Sequence, residues 1–172
     1  MERPHPQMKR GLPRFHFRLD CCYRSLRLLD NLNKKEKKMA KQYINPNTLF
    51  PSVQHGFSQI VKSRGGATVF ISGQTAWDAY KRLVGGMNLV EQARQALSNV
   101  GIAVEEAGGK LTDVVSIRIY VVNYKSEDAG PIGELFREFF PGEHPPASTW
   151  IGVSSLAVED FLVEIEAIAV IE

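Results

Sequence analysis

The sequence predicts an α+β domain in which two helices pack on one face of a mixed sheet. Three observations carry that expectation. Two segments place apolar residues at helical spacing, five others are β-branched or alternate with period two, and the segments follow one another in the order β-β-α-β-α-β-β. Helices interleaved with strands leave one sheet face for the helices and a second face to be covered by something else.

The first two strands are expected at 57–62 and 67–72, with Ser63-Arg64-Gly65-Gly66 between them. A glycine pair between β-rich runs reads as the tight connection of a hairpin. The first helix is announced by Leu89, Ala93, Ala96, Leu97, Val100, Ala103, Val104 and Ala107, which form one apolar face. Asn88 followed by Glu91 has the form of a capping box, and Gly108-Gly109 supplies the stop. A nine-residue run, Val114–Val122, is expected as a strand with Val115, Ile117, Ile119 and Val121 on one face. A second helix, 128–140, carries Ile132, Leu135, Phe136, Phe139 and Phe140, and Pro141-Gly142 ends it. Strands at 147–153 and 161–171 close the domain.

The last strand is apolar on both sides. Phe161, Val163, Ile165, Ala167, Ala169 and Ile171 share one face, while Leu162, Ile168 and Val170 share the other with Glu164 and Glu166. The helices cover one face. A partner subunit is the natural cover for the other, because monomers rarely expose large apolar patches.

Charge divides the chain in two. Residues 1–38 carry eleven Lys and Arg against four acids, and residues 39–172 carry ten against fifteen. The basic leader is open to three readings: a tail without fixed structure or translation begun upstream of Met39, an Arg-rich targeting peptide, or a basic arm for an acidic partner. The acidic body, 39–172, argues against a nucleic-acid-binding face, which needs a basic stripe. No apolar run approaches the roughly 18 residues of a membrane-spanning helix. The two cysteines, Cys21 and Cys22, are adjacent and lie in the leader, so neither can staple the body. That usage points to a reducing, cytoplasmic setting or to indifference to redox state. His55 and His144 have no second ligand at metal spacing, so no metal site is expected.

Five segments together resemble one family. They are Gly56-Phe57-Ser58-Gln59, Ile71-Ser72-Gly73-Gln74, Glu91 to Leu97, Pro146-Ala147-Ser148-Thr149 and Glu164 to Val170. In this order and spacing, from Gln42 to the C terminus, they are similar to the Rid (YjgF-like) proteins, long labelled endoribonuclease L-PSP. The resemblance implies a chorismate-mutase-like fold and a homotrimer with a central barrel. It implies small-molecule clefts between subunits, with no cofactor held by the protein. Active members hydrolyse enamines and imines, releasing ammonia and a 2-oxo acid.

The resemblance also marks departures. Ser148 stands where the family has the arginine that clamps the substrate carboxylate, and a hydroxyl carries no charge. Trp150 stands in place of a cysteine, and Phe57 keeps the ring of a tyrosine without its hydroxyl. Ser72, Gly73 and Glu164 are retained; by the resemblance Glu164 is the residue that holds or activates water, and Phe57, Ser72, Gly73, Ser148 and Trp150 line the substrate site. Each has an ordinary reading beside it. Ser72-Gly73 also suits a strand-ending turn, and Glu164 a structural ion pair with Arg118 or Arg137. Arg118 is a candidate substitute anchor or a rim charge, and Trp77 either lines the cleft or packs beneath it.

Three functions stay open on the sequence alone. One is a deaminase or hydrolase acting on a substrate without the usual carboxylate, stacked on Trp150 and Phe57. Another is a non-catalytic trimer binding a metabolite or protein. The third is the ribonuclease of the old family label, which the acidic body disfavours.

Overall fold

The structure is a computed structural model, and it describes residues 40–172. The leader with Cys21 and Cys22, and the boundary expected at Met39, lie outside the described residues.

Six strands and two α-helices follow one another as β1 (Ala40–Ile44), β2 (Ile60–Arg64), β3 (Ala67–Gln74), α1 (Leu89–Glu106), β4 (Val114–Val122), α2 (Ala129–Phe139), β5 (Ala147–Val153) and β6 (Val163–Ile171). The mixed α+β class holds, with one strand more than the order β-β-α-β-α-β-β allowed. The added strand, β1, is the short and half-exposed AKQYI segment, which lacks an apolar stripe.

The main sheet has the order β3-β6-β4-β5. β6 runs antiparallel to β3 and to β4, while β4 and β5 are parallel. Parallel neighbours cannot be joined by a tight turn, and α2 supplies the crossover between β4 and β5. The last strand of the chain thus lies between two earlier strands.

The expected hairpin is corrected. β2 starts at Ile60, and it pairs with β1 in a separate two-stranded ribbon instead of with β3. Both Gly65 and Gly66 have positive φ, but the turn they make hands the chain from the ribbon to the sheet. Lys41 fastens the ribbon to the turn before β4 through Asp113 Oδ1 at 2.8 Å and the Thr112 carbonyl at 3.1 Å.

A second correction concerns β4. The pairing of β4 with β6 slips between Val114 and Ser116, so Val115 is an extra residue. Such a bulge reverses facing on one side of it. Val114, 2 % exposed, therefore joins Ile117, Ile119 and Val121 in the core in place of Val115.

The core lies between the helices and the sheet face formed by these residues, Val163, Ile165, Ala167, Ala169 and Ile171. Asn88 caps α1 by accepting from the backbone of Val90 at 3.0 Å and of Glu91 at 3.2 Å. The far end closes in a Schellman arrangement, Gly109 N–H to Val104 C=O and Gly108 N–H to Glu105 C=O, both 2.9 Å. Gln92, completely buried, donates to the carbonyls of Gly86 at 2.6 Å and Asp160 at 2.9 Å and accepts from Leu162 N at 2.9 Å. This one amide ties the helix start to the loops on either side. No helix among the described residues is long and apolar enough to cross a membrane.

Replacing Gln92 by Ala leaves three backbone groups without their partner. It is expected to cost about 2–4 kcal/mol, against about 1 kcal/mol for Asn88→Ala at the cap. Denaturant unfolding of the two variants measures both, and a Gln92→Ala cost no larger than that of the cap would contradict this account of the buried amide.

Candidate functional site

A cleft of about 610 Å³ opens between α2, the edge strand β5 and the loop that precedes β2. This is a common size for a small-molecule site. Its helical wall consists of Ala129, Gly130, Gly133, Glu134 and Arg137. These residues recur at i, i+1, i+4, i+5 and i+8, opposite the face of α2 that buries Ile132, Leu135 and Phe136. Small residues on this side give the cleft its depth.

The strand wall comes from β5. Its parallel register sets Ser148 beside Ile117 and Trp150 beside Ile119, so both side chains point to the helix face. The Trp150 ring packs 5.8 Å from Phe136 and edge-on to Tyr124 at 6.2 Å. Its Nε1 donates to Ser148 Oγ at 3.1 Å, which leaves the hydroxyl proton free to point elsewhere.

The loop wall holds Phe50, Gln54, His55 and Phe57. Asn45 Oδ1 accepts from Gln59 N at 2.8 Å, and the Gln59 side chain donates to the Phe50 carbonyl at 2.8 Å. Ser58, 1 % exposed, donates through Oγ to Pro145 C=O at 2.7 Å and through N to Pro146 C=O at 3.0 Å. Phe57 is thereby anchored through the two residues that follow it, and Phe50 stacks on His55 at 4.9 Å.

Three of the residues marked in the sequence, Phe57, Ser148 and Trp150, thus share one cleft. Ser72, Gly73 and Glu164 do not join them within the chain. Glu164 alternates with the buried Val163 and Ile165, which puts it on the sheet face away from the helices. Its carboxylate lies directly against Gly73, and a β-carbon there would collide with Glu164 Oε1, Cδ and Cγ. The pairing of β3 with β6 slips between Ile71 and Gln74, at this same point. Ser72 is exposed on that face, in a hollow with Phe70, Arg118, Glu166 and Ile168.

Neither expected ion pair to Glu164 forms. Arg118 Nη1 binds Glu166 Oε1 at 2.7 Å, and Tyr120 OH donates to the same oxygen at 3.2 Å. The hydrogen bond to Glu166 holds the Arg118 guanidinium above its usual pKa, with the Coulombic attraction adding to it. Arg118 is therefore engaged with Glu166 on the open sheet face. Half-buried Glu164 has no cationic partner among the described residues. Trp77 lies outside the cleft, edge-on to Phe161 at 4.8 Å. His144 stacks on Tyr43 at 4.7 Å, and no cluster of His, Cys, Asp or Glu among the described residues is arranged to hold a metal ion.

The sequence reading missed the helical wall. The signal that finds Arg137 is its spacing from Ala129, Gly130 and Gly133, which puts it on their stripe.

Comparisons with known proteins agree with this architecture. Residues 48–171 match the family described as Endoribonuclease L-PSP. The chain is 34% identical over 134 residues to the 2-iminobutanoate/2-iminopropanoate deaminase of Dermatophagoides farinae, covering 78% of this chain and 100% of that protein. It is 41% identical to YyfB of Yersinia pestis, a Rid-family protein of unknown function, with a TM-score of 0.74 over 76% of this chain and 98% of that one. RidA from the Antarctic bacterium Psychrobacter sp. is 34% identical, with a TM-score of 0.54 over 66% of this chain and 87% of that one. The chain belongs to the Endoribonuclease L-PSP family, the Rid (YjgF-like) proteins.

Proposed function

We propose that this protein hydrolyses a small imine or enamine to an oxo compound and ammonia, in clefts completed between the subunits of a homotrimer. The observation that carries the reading is Glu164, a half-buried carboxylate set against Gly73 with no cation to neutralise it among the described residues. A carboxylate so placed has its oxygens open to a bound water. The name of the Dermatophagoides relative, matched over its full length, supports the same chemistry.

Glu164 removes a proton from water as the oxygen attacks the imine carbon, and the imine nitrogen takes up a proton. The resulting carbinolamine loses ammonia as its C–N bond breaks and a C=O bond forms. An enamine must first be protonated on carbon to give the imine. Water is the only co-reactant.

What one chain leaves unfinished supports a partner subunit. Phe70 is 78% exposed on the open sheet face, beside half-buried Ile168. Glu164 and the Ser148–Trp150 wall lie on opposite faces of the same sheet. A neighbouring subunit packed on the open face brings one chain's cleft to the other's carboxylate and covers Phe70. Ser148 offers no charge from β5, so a short 2-imino acid is clamped less firmly than by an arginine.

Glu164→Gln should lower deamination by about 10²–10⁴-fold without moving the melting temperature. Turnover equal to wild type would remove Glu164 from the chemistry. Release of pyruvate from 2-iminopropanoate, generated by a coupled amino-acid oxidase, should run roughly two to three orders of magnitude below that of an arginine-containing relative. Gly73→Ala should displace the carboxylate and depress the same rate. Sedimentation of the chain from Met39 onward should give a trimer, and a stable monomer would refute the shared cleft.

A further inference from the structure

Ser148 removes the charge from β5, yet the cleft is not without a cation. Of the described arginines, Arg82, Arg94 and Arg118 each hold a carboxylate. Arg137 lines the cleft with Ser148, Trp150 and Phe57, and it holds no carboxylate among the described residues. Even Glu134, one turn earlier on the same wall, does not close on it.

Gly56 makes room for this side chain, and Gly133 lies in ordinary contact with it. A β-carbon on Gly56 would come within 3.3 Å of Arg137 Cγ, and one on Gly133 would lie 3.7 Å from Nη1. Gly56 also has φ of +83°, a conformation that other residues adopt with strain. The guanidinium therefore runs back along α2 toward Gly133, and the side chain stays exposed at the edge of the cleft. Its position owes something to the packing as well as to its own rotamers.

We propose that Arg137 is the anion anchor of this cleft, and that the ligand is a small monoanionic carboxylate with a flat, aromatic body. The planar guanidinium pairs two carboxylate oxygens at once. Trp150, Phe57 and Phe50 supply faces for a ring, and the Ser148 hydroxyl a further donor. Glu134 on the same wall disfavours a second negative charge. The anchor has moved from the edge strand to the crossover helix, so the bound molecule lies along α2. This deepens the deaminase reading, since it names the substrate class of the same cleft.

The test is calorimetric binding of two unreactive probes to the full chain, phenylacetate and its neutral isostere 2-phenylacetamide. Wild type should bind phenylacetate at least about tenfold more tightly than the amide, the scale of one charge-assisted pair. Arg137→Gln should erase that difference, Arg137→Lys should restore part of it, and Arg64→Gln, outside the cleft, should change nothing. Equal affinity of wild type for the two probes, or binding of neither, overturns the proposal without recourse to any variant. So does undiminished discrimination in folded Arg137→Gln. The two readings fail separately. Glu164-dependent turnover with Arg137-independent binding refutes the anchor and leaves the deaminase. Arg137-dependent binding in a chain whose turnover ignores Glu164 keeps the anchor and refutes the chemistry.

Discussion

The period-two alternation of β6, held between β3 and β4, is the constraint on which the rest depends. A central strand is paired on both edges, so its facing cannot slip without breaking two ladders. Val163, Ile165, Ala167 and Ala169 then fill the core under α1. By the same parity Glu164 and Glu166 are turned to the open face. Burial of one set decides the exposure of the other.

Two carboxylates on one face meet different ends because of cross-strand register. Glu166 lies opposite Arg118, which takes it as an ion pair, and Tyr120 adds a second donor. Glu164 lies opposite Tyr120 and against Gly73, and neither offers it a charge. The bulge in β3 and the missing side chain at position 73 leave space for a carboxylate where a regular strand would have put an atom.

The cleft has a different origin. It forms where the sheet ends, because β5 is an edge strand and α2 must cross from β4 to reach it. Trp150 fills the angle between strand and helix by packing on Phe136, and the glycines of α2 keep the opposite wall low. Ser58, buried and bonded to both Pro145 and Pro146, closes the third side. The short motifs of the sequence divide accordingly. Ser58, Gln59 and Gln92 hold backbone in place, and Phe57, Ser148 and Trp150 face the space so made.

Local periodicity determined much of this protein from its sequence. Both helices, the strands Val114–Val122 and Ala147–Val153, the buried face of β6 and the Asn88 cap are set by side chains within a few residues of one another, so they can be read along the chain. Phe57, Ser148 and Trp150, which share the cleft, were legible through the family motifs that contain them. Tertiary structure decided what depends on distant partners. Pairing took β2 to β1 instead of β3, and the bulge at Val115 put Val114 in the core. Glu166, not Glu164, received Arg118, and Arg137 came to line the cleft with Ser148. Spacing along the chain records which residues share a face, but not which strand, loop or charge that face will meet.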